Sequence, residues 1–339
     1  MPVVRAARLH APAPVETAPL VLEELEAPLP GPGEVGIRVH ACGVCHTDLH
    51  IVEGDLPPHR SPVVLGHQIV GTVDRLGPDV TPDGGAPDLE GKRVGVTWLA
   101  HACGTCAFCA RGEENLCPQA QFTGYDVDGG FAGHTLARAA FAVPIPPAFD
   151  DAAAAPLLCA GVIGYRALRV AGLLPGDHLA FFGFGASAHL AIQVARHWGC
   201  TVGVVTRGAE HRTLAEELGA RWVVEPGVAP PAPCDRAVVF APSGEVVVAA
   251  LRAVRPGGTV AINAVALDGI PAMPYATLYG ERVLRTVSHL TRADAHAFLR
   301  LAAEIPVRVE AESHPLEAAN EVLLRLKRRE LRAAAVLRP

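Results

Sequence analysis

From about Gly176 onward the chain alternates short, continuously apolar runs with helical segments, and few folds accept that pattern. Leu179-Ala180-Phe181-Phe182, Val202-Gly203-Val204-Val205, Ala237-Val238-Val239-Phe240 and Thr259-Val260-Ala261-Ile262 lack a polar face, so each strand must be covered on both sides. The spacing between them predicts helices from Ala186 to about Trp198, around Thr213 to Leu218, and over Val246 to Val254. Buried strands separated by helices build a doubly wound parallel sheet. Half of the 339 residues are hydrophobic and 19% are charged, enough apolar material for two cores.

The first part of the chain obeys other rules. Val35 to His40 alternates like a half-buried strand, and Val63 to Gly66, Ile69 to Val73 and Gly91 to Val96 are short strands bent at glycines. Proline clusters around Pro28 to Pro32 and Pro144 to Pro147 mark loops. An Ala-rich helix opens near Asp151 and continues through Ile163 to Leu168, and helices near Asp294 to Glu304 and Leu316 to Arg329 are expected to return to the first domain. The expected chain is therefore α/β, with a β-rich domain over residues 1–158 plus a return over 291–339, and a parallel-sheet domain over 159–290.

A net charge of −6 gives no reason to expect a nucleic-acid partner. The N-terminus lacks an apolar core with a cleavage signal, and apolar runs break at Gly, Pro or charge before reaching 18 residues. A cytoplasmic protein with no membrane partner is the expectation. Nine cysteines in so long a chain do not form a disulfide framework.

Four of those cysteines crowd together at Cys103, Cys106, Cys109 and Cys117. Thiolates at such spacing converge on one Zn²⁺ at about 2.3 Å each, a closed tetrahedral site that stabilises its lobe; an iron–sulfur cluster uses the same donors. A second set is dispersed. Cys45, His67 and Cys159 leave a fourth position open, which is the catalytic pattern for zinc. The stretch Cys42 to His50, expected on a loop at the end of a strand, adds proton-handling groups. Asp48 is placed to accept a hydrogen bond from His67, and Thr47 and His50 to pass a proton outward, since imidazole ordinarily titrates near neutrality. Gly183-Phe184-Gly185-Ala186-Ser187-Ala188 follows a strand and opens a helix, the context that a dinucleotide-binding turn requires.

Taken together, Cys45-His46-Thr47-Asp48-Leu49-His50, Gly66-His67, the four-Cys lobe, Leu158-Cys159-Ala160-Gly161 and Gly183-Phe184-Gly185 resemble the zinc-dependent alcohol dehydrogenases of the medium-chain dehydrogenase/reductase superfamily. The elements occur in the family's order over nearly the whole chain. Cys-His-Thr-Asp-Leu-His and Trp98-Leu99 are most similar to the yeast and bacterial branch. The resemblance implies a GroES-like catalytic domain plus a Rossmann domain, and two zinc ions. It also implies reversible hydride transfer between a primary or secondary alcohol and NAD(P)⁺, and a homodimer or homotetramer. By the same resemblance His46 approaches the cofactor pyrophosphate and Trp98 lines the substrate pocket.

Three positions depart from the family pattern. Gln68 stands where a Glu usually follows the zinc-binding His, and Ala334 stands where many relatives carry an Arg that contacts the cofactor phosphates. The second Rossmann strand ends in Thr206-Arg207 rather than in a carboxylate. An acidic residue there receives the ribose of NAD, whereas an Arg accommodates the 2′-phosphate, so NADP(H) is expected over NAD(H), with NAD(H) still possible. The seven placed ligands argue against a quinone or enoyl reductase of the same superfamily. The remaining alternative is a catalytically silent NAD(P)-binding redox sensor or structural protein of the same fold.

Overall fold

The computed structural model describes residues 2–80, 88–331 and 334–339. The chain divides into two units: Met1–Cys159 with His289–Ala303 and Val309–Pro339, and Ala160–Ser288 with Glu304–Arg308.

The first unit is built on antiparallel strands. One sheet runs in the order Ala142–Pro144, Arg93–Val96, Gln68–Leu76, Glu34–Val44, Ala334–Arg338, Ala311–Pro315, and His134–Arg138 also pairs with Glu34–Val44. A three-stranded sheet orders Leu20–Glu26, Val3–Leu9 and Val63–Val64. Alternation in Glu34–Val44 turns Val35, Ile37 and Val39 into a core that Phe131, Ile69, Leu65 and Ile51 complete. After a shift of register between Val39 and Ala41 it is Cys42 and Val44 that join it. The last strand of the chain pairs with the end of this strand, Leu337 opposite Cys42 and Ala335 opposite Val44. It therefore steadies the backbone just ahead of Cys45.

The second unit is a six-stranded, fully parallel sheet in the order Trp222–Val224, Thr201–Val205, His178–Phe182, Cys234–Val239, Val254–Ile262, Val283–Thr286. Strand order reverses on either side of His178–Phe182, the doubly wound arrangement whose ligands bind beyond the carboxyl ends of the strands. The helix Ala186–His197 buries Ala188, Leu190, Ala191, Ile192, Val194 and Ala195. The fold class expected from the sequence is thus present: α/β, with a β-rich unit and a doubly wound parallel-sheet unit.

Some local expectations change. Cys42 to His50 is not a loop. The strand Glu34–Val44 runs into Cys45, which caps a helix over His46–Glu53. Asp48, at the third helical position, accepts the Cys45 N–H at 2.8 Å and so closes the first turn. A carboxylate at that end is also favoured by the helix dipole. The Ala-rich helix ends at Val170, close to the expected Leu168, but against the expectation that apolar runs break before 18 residues it is long and apolar enough to cross a membrane. It is 61% buried inside the protein, as a core helix is. Leu157–Gly161 within it is wound as a π turn, and it carries Cys159. The strands Val283–Thr286, Ala311–Pro315 and Ala334–Arg338 have no counterpart in the sequence reading.

Phe131 is fully buried and presses on Gly66, the residue before His67. Phe131→Ala is expected to destabilise the first unit by about 3–5 kcal/mol, read as a lower midpoint in chemical denaturation. An unchanged midpoint would show that this part of the core is not packed as described.

Candidate active site and metal centres

Cys45, His67 and Cys159 arrive from three separate elements: the cap of the helix His46–Glu53, the turn before Gln68–Leu76, and the π turn Leu157–Gly161. Their ligand atoms lie within 4.8 Å of one another. Gly66 makes the approach possible. Its φ of +92° suits glycine, and a Cβ there would lie 2.4 Å from Phe131 Cδ1 and 2.7 Å from Cys42 Sγ. Asp48, wholly buried, organises the cluster. It accepts the Cys45 N–H at 2.8 Å, the Gly66 N–H at 3.3 Å and His67 Nδ1–H at 3.2 Å. With Nδ1 engaged, Nε2 is the nitrogen left for a metal.

The charges of this donor set favour a cation. Burial opposes a charge on His67, yet Asp48 and the Cys45 sulfur outweigh it and raise the imidazole to about 10. Cys159, with His67 nearby, holds the Cys45 thiol well below the ordinary thiol range, while Cys45 and burial push Cys159 well above it. The Cys45 sulfur and the Asp48 carboxylate share one buried space and favour positive charge beside them. A soft-to-borderline dication suits two S and one N.

The second cluster is closed. The sulfurs of Cys103, Cys106, Cys109 and Cys117 also lie within 4.8 Å of each other. Backbone amides face them: Cys106 N donates to Cys103 Sγ at 3.3 Å, and Cys109 N to Cys106 Sγ at 3.5 Å. Cys103 N and Gln119 N both donate to Cys117 Sγ at 3.4 Å. The amides of Thr105 and Cys106 hold Cys103 down to about 6, whereas desolvation and the adjoining Cys106 push Cys109 up to about 12. Cys103 Sγ and Cys109 Sγ stand 3.9 Å apart. Two sulfurs on a tetrahedral zinc are about 3.8 Å apart, against about 2.05 Å in a disulfide. All nine thiols are free.

Other residues singled out in the sequence take these places. Thr47 is buried, its Oγ1 3.7 Å from Cys45 Sγ. His50, half-buried one turn further along the helix, pairs through Nδ1 with Asp55 Oδ2 at 3.0 Å. His46 is exposed at the first helical position. Trp98 is buried and meets the His67 ring edge-on at 5.0 Å. Gln68 is buried against Gly43, where a Cβ would come within 2.7 Å of Gln68 Oε1. Ala334 is buried at the start of Ala334–Arg338; Arg332 and Ala333 lie outside the described residues.

In the second unit Gly183, with φ +96°, begins the turn after His178–Phe182 and donates its N–H to Val205 O at 2.8 Å. Gly185 caps the helix Ala186–His197, and a Cβ there would meet nothing within 4 Å. Phe184 and Ala188 point into the core, while Ala186 is exposed and Ser187 half-buried. The first amides of this helix have no partner within it, so they and the dipole suit a pyrophosphate. Thr206 is buried, its N–H on Val224 O at 3.0 Å. Arg207 is exposed. Its carbonyl accepts Arg212 Nη1 at 2.6 Å, and Arg212 pairs with Glu225 at 3.0 Å.

Two residues beside the first cluster escaped the sequence reading. Phe122 stacks on Trp98 with ring centroids 5.1 Å apart and planes inclined by 16°, and His289 Nδ1 accepts the Trp98 indole N–H at 3.1 Å. His289 lies 191 positions from Trp98, so no local spacing connects them.

Comparison with known proteins decides the family. Residues 31–147 match the alcohol dehydrogenase GroES-like domain, and residues 188–304 match the zinc-binding dehydrogenase domain. The probable alcohol dehydrogenase AdhA of Mycobacterium tuberculosis is 46% identical over 331 residues, covering 97% of this chain and 96% of its own. The chain belongs to the zinc-type alcohol dehydrogenases of the medium-chain dehydrogenase/reductase superfamily. Among solved structures, acetophenone reductase from Geotrichum candidum in complex with NAD is 26% identical, with TM-score 0.88 over 100% of this chain and 98% of that one. A zinc-binding dehydrogenase from Sinorhizobium meliloti bound to NADP is also 26% identical, with TM-score 0.85 over 100% of both chains. This alcohol dehydrogenase is therefore an oxidoreductase that uses zinc and a nicotinamide cofactor on a small-molecule alcohol.

Asp48 touches the cluster without being one of the three grouped donors. Asp48→Asn is expected to weaken zinc binding by about 10–100-fold, measured by competition with a chromogenic chelator. Unchanged affinity would remove Asp48 from the architecture of the centre.

Proposed function

We propose that Cys45, His67 and Cys159 hold the catalytic zinc of this alcohol dehydrogenase, and that Cys103, Cys106, Cys109 and Cys117 hold a structural one, giving two ions per chain. The observation that carries this reading is the difference between the two donor sets: three ligands beside a buried hydroxyl, against four sulfurs facing backbone amides. When bound at the three-ligand set, zinc supplies Lewis acidity that makes an alcohol hydroxyl a stronger acid. The nicotinamide supplies the acceptor for the hydride that leaves the carbinol carbon.

Thr47 receives the hydroxyl proton, its Oγ1 being 3.7 Å from the Cys45 sulfur. His50, on the same helix one turn on, takes it toward solvent, with Asp55 holding the ring through Nδ1. Alcohol and oxidised cofactor thus yield aldehyde or ketone, reduced cofactor and one proton. Asp48 orients His67, and Trp98 walls the substrate side of the cluster. Gly183, Phe184, Gly185, Ala186 and Ser187 bind the cofactor pyrophosphate at the helix N-terminus. The protein works as a homodimer or homotetramer. Support for self-association comes from the strand Val283–Thr286, an outer edge of the parallel sheet with mostly exposed side chains, and from exposed Val265, Tyr275 and Tyr279 in the segment before it.

The cofactor is proposed to be NADP(H) in preference to NAD(H). No carboxylate ends the second strand to repel a 2′-phosphate, Thr206 being there instead, and Arg207 follows it exposed. Arg212, drawn to the Arg207 carbonyl, adds positive charge to the same turn. The neighbours named above bind NAD in one case and NADP in the other, so the preference rests on this turn.

Two experiments test these assignments. Cys159→Ala should abolish turnover and remove one zinc from a folded protein, whereas Cys106→Ala should lower stability or yield, because a closed four-sulfur site contributes folding energy. Full activity in Cys159→Ala, or one zinc per active wild-type chain, would overturn the pairing of sites and roles. The ratio of kcat/KM for NADPH to that for NADH should exceed one in the wild type. It should fall on the order of ten- to a hundredfold in Arg207→Ala, as for loss of a charge-assisted hydrogen bond. A wild-type preference for NADH, or an unchanged ratio in the variant, would contradict the cofactor assignment.

A further inference from the structure

The Trp98 ring is held on three sides. Its face lies on Phe122, its edge meets His67, and its indole N–H is taken by His289 Nδ1 at 3.1 Å. These ring contacts, with Tyr125 also at 5.8 Å, include no hydrogen bond to the indole. The hydrogen bond is the contact that fixes where the indole stops.

His289 is an unusual residue to find there. Its φ is +54°, a left-handed conformation that costs most side chains energy and that histidine, asparagine and aspartate tolerate best. Because Nδ1 accepts, the ring proton of the neutral form is on Nε2. The segment after it is pinned at once. Leu290 and Thr291 are buried, and Thr291 and Asp294 bond each other reciprocally at the start of Arg292–Glu304. Arg292 makes a two-pronged ion pair with Glu114, with Nη2 and Nε at 2.6 and 2.9 Å from Glu114 Oε2, and it lies over the Phe141 ring at 4.3 Å. Glu114 sits in the short turn Glu114–Leu116, directly before Cys117. The four-Cys lobe is therefore joined through Glu114 and Arg292, and then along the backbone 289–292, to His289, Trp98 and the His67 ring.

We propose that His289 is a positioning residue for the alcohol-oxidising site: through the Trp98 indole N–H it sets the position of the aromatic wall beside His67 and so the size of alcohol admitted. The segment 289–294 ties that setting to the four-Cys lobe. The inference rests on the reading that Cys45, His67 and Cys159 surround the reacting alcohol.

The left-handed backbone dictates the variants. His289→Gly accepts that φ without strain but has no acceptor for the indole, whereas His289→Asn accepts the same φ and offers Oδ1. The experiment compares kcat and KM for ethanol, 1-hexanol and a branched secondary alcohol in wild type, His289→Gly and His289→Asn, with zinc content measured for each. In His289→Gly the ratio of kcat/KM for ethanol to that for the branched alcohol is expected to fall about three- to tenfold, the loss of one hydrogen bond. The change should lie mainly in KM, with zinc content as in wild type. His289→Asn is expected to restore at least half of that change on a logarithmic scale. An unchanged ratio in His289→Gly, or equal ratios in the Gly and Asn variants, would overturn the proposal. Wild-type inactivity on all three alcohols would instead overturn the underlying reading of the site, so the two failures are distinct.

Discussion

A carboxylate with no exposure to water needs compensation at every lone pair, and Asp48 obtains it from three donors that belong to two distant stretches of chain. The Cys45 N–H ties it to its own helix turn, and the Gly66 N–H and the His67 ring tie it to the turn before Gln68–Leu76. Removing this group would leave two buried amides and an imidazole without their acceptor. The same carboxylate fixes which nitrogen of His67 remains available and raises the basicity of the ring. Placement of the cluster and its electrostatics therefore have one source.

The surrounding packing makes that arrangement possible. Phe131 and the Cys42 thiol fill the space over Gly66, so the turn carrying His67 has only one way to lie. The last strand of the chain, paired residue for residue with Cys42 to Val44, holds the other side. The π turn at Leu157–Gly161 offsets Cys159 from an ordinary helical position, a distortion frequent at functional sites. The four-Cys lobe needs no such framework. Its thiols are neighbours in sequence, and the backbone between them turns its own amides onto the sulfurs.

That contrast explains what could be read from the sequence. Residues 103–117 declare a metal-binding lobe by spacing alone, and the apolar strands after Gly176 declare a parallel sheet, because both depend on local pattern. Grouping Cys45, His67 and Cys159 needed the family resemblance as well, since no spacing predicts their convergence. The stretch His46–Glu53 reads as a loop in the sequence because its polar residues mask a short helix whose first turn is closed by a side chain. The edge strand Val283–Thr286 has the exposed, mixed character of a loop, and Ala334–Arg338 acquires its structure from partners some 290 residues away. His289 was invisible for the same reason: its significance lies in the Trp98 indole it accepts, 191 residues distant.

We propose that one chain carries two metal centres of different chemistry, one closed and one open to substrate. Replacing zinc by cobalt and recording the visible and X-ray absorption spectra with and without an alcohol tests this most directly. The account predicts two ions per chain: one with four sulfur ligands whose spectrum ignores the alcohol, and one with two sulfurs and one nitrogen whose spectrum shifts when the alcohol is added. A single ion per active chain, or an alcohol-induced shift at the four-sulfur ion, would contradict it.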